Sequence, residues 1–120
     1  MENSLILIEI LKQIPALVEV DPDDLLDITK KIKLKKFENN EFVFREGDSG
    51  ETFYVIKSGK VEVLKKSDNI VKQVAVLYPD NFFGEAALLN QAPRNASIRC
   101  LENTELYVFN KDDFYDLIYL

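Results

Sequence analysis

The 120-residue sequence has no histidine and no tryptophan, and only one cysteine and one methionine. Without histidine there is no serine-histidine or cysteine-histidine nucleophile pair, no HExxH zinc site and no His-ligated metal. Most familiar enzyme chemistries go with it, so the expectation is a non-enzyme that needs neither metal nor cofactor. Cys100 stands alone, which rules out an internal disulfide; it reads as a small buried strand residue in a reducing compartment rather than as a reactive thiol. Positive charge is also in deficit. Fifteen Lys and Arg face 21 Asp and Glu, for a net charge of -6 and a pI near 4.7. Nonspecific attraction to nucleic-acid phosphates is therefore disfavoured, and any bound anion must be held by a local site. Long apolar runs are missing too. Leu5-Ile6-Leu7-Ile8 is hemmed in by Glu2, Glu9 and Lys12 and has no basic segment before it, so it is no signal peptide. Nothing approaches the ~20 apolar residues of a membrane helix. A soluble, cytoplasmic protein that engages no membrane is expected.

What is present is the balance of one globular domain, 47% hydrophobic and 30% charged, spanning residues 1–120. Leu7, Ile10, Leu11 and Ile14 recur at helical spacing and stop at Pro15. Asp21-Pro22-Asp23-Asp24 reads as a second helix start, with Asp21 as N-cap, Pro22 at the first helical position and acidic charge in the first turn. Leu25, Leu26, Ile28, Thr29 and Ile32 form its buried face. Helices thus occupy about residues 4–32. From about 33 to 109 the period shortens: Leu34, Phe37, Phe42, Phe44, Phe53, Val55, Val61, Val63, Val74 and Val76 lie in short, largely alternating runs. Asn39-Asn40, Gly47-Asp48-Ser49-Gly50, Ser58-Gly59, Ser67-Asp68-Asn69 and Tyr78-Pro79-Asp80-Asn81 punctuate them. Short antiparallel strands at such intervals predict a sandwich, jelly roll or barrel. After a last alternating run to Phe109, Asn110 is a candidate N-cap for a short C-terminal helix over about 111–119, with Phe114, Leu117 and Ile118 on one face. No repeat, linker or low-complexity tract divides the chain.

One segment breaks the alternation: Phe83-Gly84-Glu85-Ala86-Ala87-Leu88-Leu89, followed by Asn90-Gln91-Ala92-Pro93-Arg94-Asn95-Ala96-Ser97. A helical turn after Gly84, expected over Glu85 to Leu89, would present free backbone N–H groups to a negative charge. Gly84, Ala86 and Ala87 would let a ligand approach the backbone, and Pro93 would stiffen the return that presents Arg94. Arg94 offers a planar fork of donors to phosphate oxygens, and ionised Glu85 an acceptor for a neighbouring sugar hydroxyl.

The segment 83–97 resembles the phosphate-binding cassette of the cyclic-nucleotide-binding domain family, whose pattern is roughly F-G-E-x-A-L followed by P-R-x-A-[ST]. The resemblance extends upstream through Ile14-Pro15-Ala16-Leu17, Phe37, the run Glu41 to Asp48, Gly50, and the run Phe53 to Val61. All four glycines fall on the family's glycine positions. The resemblance implies a mainly β fold with flanking helices: an eight-stranded antiparallel jelly-roll barrel, or double-stranded β-helix, with N- and C-terminal helices. It implies a regulatory sensor in signal transduction that binds a 3′,5′-cyclic nucleotide, cAMP or cGMP, and passes its occupancy to an effector domain or protein outside this chain, such as a kinase. Carried over residue by residue, the ligand site comprises Gly84, Glu85, Ala86, Ala87, Arg94, Asn95 and Ala96. Glu85 would accept from the ribose 2′-OH, Arg94 would pair with the cyclic phosphate, and the amides of Ala87 and Asn95 would complete the cradle.

Two departures stand out. The residue after the cassette arginine is commonly Ala in cAMP-selective members and Thr in many cGMP-selective ones, whereas here it is Asn95; lacking the Thr hydroxyl, the site is expected to favour cAMP. The family's longer C-terminal lid helix is not expected within a chain that ends at Leu120. The plainer alternatives are a structural or interaction module that keeps the fold without a ligand and, more distantly, a cupin-type metalloenzyme, whose His ligands are absent. Lys30, Lys31, Lys33, Lys35 and Lys36 read as solvated surface rather than an acidic-partner patch, Asn95-Ala96-Ser97 as a chance sequon, and Tyr78 and Phe82 as packing residues. No DNA-reading helix-turn-helix follows the barrel, so no nucleic acid is expected to bind this domain alone.

Overall fold

Local sequence signals set the first elements in the computed structural model, which describes residues 2–89 and 92–118. Helix α1 runs Glu2–Leu11, a 3₁₀ turn Pro15–Leu17, and helix α2 Pro22–Thr29. Asp21 caps α2 as expected, its carboxylate accepting from the Asp23 amide at 2.8 Å with Pro22 at the start of the helix. Pro15 does not itself stop α1; it opens the 3₁₀ turn, where its missing N–H costs nothing.

Eight strands follow: β1 Lys33–Phe37, β2 Phe42–Phe44, β3 Thr52–Ser58, β4 Val61–Ser67, β5 Ile70–Leu77, β6 Phe82–Phe83, β7 Ser97–Cys100 and β8 Thr104–Asn110. They form two four-stranded antiparallel sheets, β1-β8-β3-β6 and β2-β7-β4-β5, the jelly roll expected from the sequence. The connecting turns need left-handed backbone, and Asn40, Gly59, Asp68, Asn69 and Asp80 supply it with φ from 52° to 89°. The C-terminal segment is shorter than a full helix. Lys111–Asp113 is a 3₁₀ turn capped by Asn110, which accepts from the Asp112 amide at 3.0 Å, and α3 is one turn over Tyr115–Ile118. Tyr119, at the end of the expected helix, lies outside the described residues.

Alternation along β3 splits the core in two. Phe53 and Val55 face the helices, packing with Leu11, Leu17, Leu25 and Phe114, and Phe53 stacks on Phe109 at 4.7 Å. Ile56 faces the space between the sheets with Phe37, Val61, Ile98, Leu106 and the fully buried Cys100. Leu34 and Val74, two of the apolar positions in the alternating runs, stand 45% and 58% exposed on the edge strands β1 and β5. The five lysines from 30 to 36 are all exposed. Among the described residues no helix is long and apolar enough to cross a membrane.

Candidate functional site

Strand β6 ends at Phe83, and Gly84 turns the chain with φ +80° into a 3₁₀ turn over Glu85–Leu88, one residue shorter than the expected helical turn. The left-handed conformation favours glycine, and the space is tight: a Cβ on Gly84 would come within 3.1 Å of an Arg94 terminal nitrogen. The turn faces both ways. Leu88 is fully buried among the helices, whereas Gly84, Glu85, Ala86 and Ala87 border a cavity of about 390 Å³ between the sheets.

Arg94, Asn95 and Ala96 border the same cavity, so all seven residues expected at the site converge on one space. The barrel contributes Phe44, Val63, Leu77 and Ile98, apolar strand residues outside the cassette pattern. Phe44 and Val63 are alternating strand positions in the sequence, yet nothing there says which alternating residues leave room beside them. Phe82 is half-buried and packs on the helical core while bordering the cavity; Tyr78 is 54% exposed. Asn90 and Gln91 lie outside the described residues.

Arg94 is the centre of the arrangement. It is 9% exposed, and among the described residues no carboxylate forms an ion pair with it. One terminal nitrogen, Nη2, donates to the Thr52 carbonyl at 2.8 Å and reaches the Thr52 hydroxyl at 3.3 Å; Nη1 makes a long bond of 3.4 Å to the Gly84 carbonyl. Its Nε–H is buried and finds no acceptor among the described residues. Burial pushes the guanidinium below its ordinary value, opposed by the charges of Tyr54 and Asp48. The backbone is held as well: the Arg94 amide donates to the Asp48 carbonyl at 2.7 Å, and the Gly47 amide donates to the Arg94 carbonyl at 2.8 Å. A Cβ on Gly50 would overlap the guanidinium, whose Cζ is 2.6 Å from that position.

Glu85 is half-buried at the cavity edge, Asn95 and Ala86 are exposed, and Ala87 and Ala96 are buried. The Ala87 amide donates to the Gly84 carbonyl at 3.2 Å, closing the 3₁₀ turn, so this donor is engaged. Among the described residues no cluster of His, Cys, Asp and Glu could hold a metal. The arrangement is a concave pocket with apolar strand residues on one side, one buried cation, one carboxylate in its lining and a close backbone approach, a composition that can accommodate a small anion.

Residues 34–119 match the family described as the cyclic nucleotide-binding domain. A cAMP-dependent protein kinase regulatory subunit from Yarrowia lipolytica is 32% identical over 108 residues, 90% of this chain and 28% of its own length. A cGMP-dependent protein kinase from Plasmodium berghei is 33% identical over 92 residues, 76% of this chain and 10% of its own. Among solved structures, the regulatory domain of Toxoplasma gondii PKA with cAMP superposes with a TM-score of 0.85 at 32% identity, covering 98% of this chain and 45% of that one. The chain spans about a quarter of the length of the kinase regulatory subunits it matches.

Proposed function

The chain belongs to the cyclic nucleotide-binding domain family, and from that premise we propose that its cavity takes a 3′,5′-cyclic nucleotide and that the domain is the sensor of a regulatory protein. The observation that carries the proposal is Arg94: a buried cation without a carboxylate and with an unspent Nε–H, beside a cavity of about 390 Å³. An unsatisfied buried donor costs about 1–3 kcal/mol, and a phosphate oxygen would satisfy it while neutralising the charge. A cyclic phosphodiester is a permanent monoanion whose only free ribose hydroxyl is the 2′-OH. Glu85 lines the cavity, and its carboxylate is the acceptor assigned to that hydroxyl in this reading. Gly84, Ala86, Ala87 and Ala96 present little or no side chain, so sugar and phosphate can lie against the backbone.

cAMP is the favoured ligand. Asn95 is exposed at the rim and lacks the hydroxyl that the family resemblance associates with guanine. Asn95→Thr should shift the cGMP-to-cAMP affinity ratio toward cGMP by about tenfold or less, the worth of one hydrogen bond in a partly exposed pocket. Competition binding with both nucleotides checks this; a wild-type preference for cGMP that Asn95→Ala erases would reverse the assignment. The effector in this reading is a domain or protein outside this chain, such as a kinase, in line with its likeness to cAMP-dependent protein kinase regulatory subunits, and a cytoplasmic setting fits the free Cys100.

A thermal-shift screen against cAMP, cGMP, cyclic dinucleotides and AMP tests the proposal. Ligand at about 100 times its dissociation constant stabilises by ~2.7 kcal/mol, several degrees for a domain of this size. A shift with a cyclic mononucleotide and none with AMP is expected. No shift with any cyclic nucleotide would instead make the domain a ligand-free interaction module.

A further inference from the structure

Arg94 poses a physical problem that its hydrogen bonds do not solve. A buried guanidinium is usually steadied by a carboxylate, but a carboxylate binds in the guanidinium plane and occupies the N–H groups that an anionic ligand needs. The structure uses a different partner. The Arg94 Cζ lies 4.1 Å from the centre of the Phe44 ring, so the cation rests against the aromatic face while its in-plane donors are left to other acceptors. Thr52 takes Nη2, the Gly84 carbonyl takes Nη1 at 3.4 Å, and among the described residues Nε has no acceptor.

We propose that Phe44 is the positioning residue of this site: its ring holds the Arg94 guanidinium in register with the cavity without spending the in-plane donors that an oxyanion of the ligand requires. The inference rests on the reading of Arg94 as the phosphate partner and adds to it the means by which that side chain is kept in place. Phe44 is itself well anchored. It sits on β2 opposite Ile98 of β7, and its ring contacts Phe83 at 5.9 Å and Tyr54 at 6.1 Å, while Tyr54 and Phe83 stack at 5.0 Å. Phe83 immediately precedes Gly84, so the aromatic cluster ties the ring to the segment that forms the other wall of the site. The absent Cβ of Gly50 completes the fit, because any side chain there would drive the guanidinium off its seat. A lysine ammonium has no plane to stack, so the same seat should favour arginine specifically.

The test has two arms. In the ligand-free protein, the Arg94 Nε–H should show a nuclear Overhauser effect to the Phe44 ring protons and a ring-current shift that Phe44→Leu removes and Phe44→Tyr keeps. In titrations with cAMP and cGMP, Phe44→Leu should weaken binding about tenfold and Phe44→Tyr by less than about threefold. The affinity lost on Arg94→Lys should be about tenfold smaller in the Phe44→Leu background than in the wild type. No Overhauser contact in the wild-type protein overturns the proposal even if Phe44→Leu fails to fold. Equal Arg94→Lys losses in both backgrounds also overturn it. If wild type binds neither nucleotide but the Overhauser contact is present, the ligand reading fails while the stacking of Arg94 stands.

Discussion

A guanidinium buried without a carboxylate is expensive, and at Arg94 the expense is offset by a carbonyl, a hydroxyl and an aromatic face. Two neighbouring glycines make the case testable. Gly50 has no room for a Cβ because the guanidinium fills it, whereas at Gly47, with φ +92°, nothing lies within 4 Å and only backbone strain opposes substitution. Gly50→Ala should therefore abolish most cyclic-nucleotide binding as Arg94 is displaced. Gly47→Ala should lower stability by about 1–2 kcal/mol and leave affinity within a few-fold. Titration and thermal unfolding of both variants separate the two effects. Glu85 is tested with 2′-deoxy-cAMP, which should bind more weakly than cAMP to wild type and about equally with it to Glu85→Ala; additive losses would mean that Glu85 does not touch the 2′-OH. The cassette residues were legible because they lie within fifteen positions and carry distinctive chemistry. Thr52 and Phe44 were not, since they sit 42 and 50 positions from Arg94 and in sequence are ordinary strand residues that only the closed barrel brings to it.

Among the elements, β4 and β7 are tied by more than their backbone ladder. Glu62 and Arg99 are register partners, Arg99 Nε donates to Glu62 Oε2 at 2.7 Å, and Gln73 of β5 donates to Oε1 at 2.9 Å. Glu62 is only 4% exposed, and Arg99 and Arg45 both lie over the Phe42 ring on β2, so one polar cluster links all four strands of this sheet. Burial alone would raise the Glu62 carboxyl; the hydrogen bonds from Gln73 and Arg99 and the charge of Arg99 outweigh it and bring the group below its ordinary 4.5. The stability this contributes is fully present above the unfolded value and is lost as pH falls through the lower folded one. Glu62→Gln should flatten the acid limb of the stability-against-pH curve below about pH 4.5, measured by urea unfolding at several pH values. An unchanged acid limb would show that the cluster does not hold the carboxylate ionised. Helix capping at Asp21 and the turn glycines and asparagines were plain in the sequence because they are local chemistry. Strand order was not, since β1 pairs with β8 across the whole barrel, and alternation alone does not tell the exposed Leu34 and Val74 from buried apolar positions such as Phe37.

On the scale of the whole molecule, a net charge of -6 means that the proposed anionic ligand would be held against the general field rather than with it. The proposed recognition would accordingly be concentrated in one buried cation, Arg94, instead of a basic surface. The same architecture would give occupancy of the proposed site a route outward. The 3₁₀ turn over 85–88 sets Ala87 at the cavity and Leu88 in the helical core, and β3 offers the Thr52 carbonyl to Arg94 while its Phe53 packs on Phe114. Cavity and helices share these two elements, the arrangement a sensor needs if ligand is to bias helix packing.

The account stands or falls on Arg94, and calorimetric titration of cAMP into wild type and Arg94→Ala, each shown to be folded by circular dichroism, tests it most directly. Wild type should bind one cAMP per domain. Arg94→Ala should keep the fold and lose several kcal/mol of affinity, on the order of 100-fold or more, because a charge-assisted contact in a desolvated site is removed. Equal affinities for the two proteins would contradict the account.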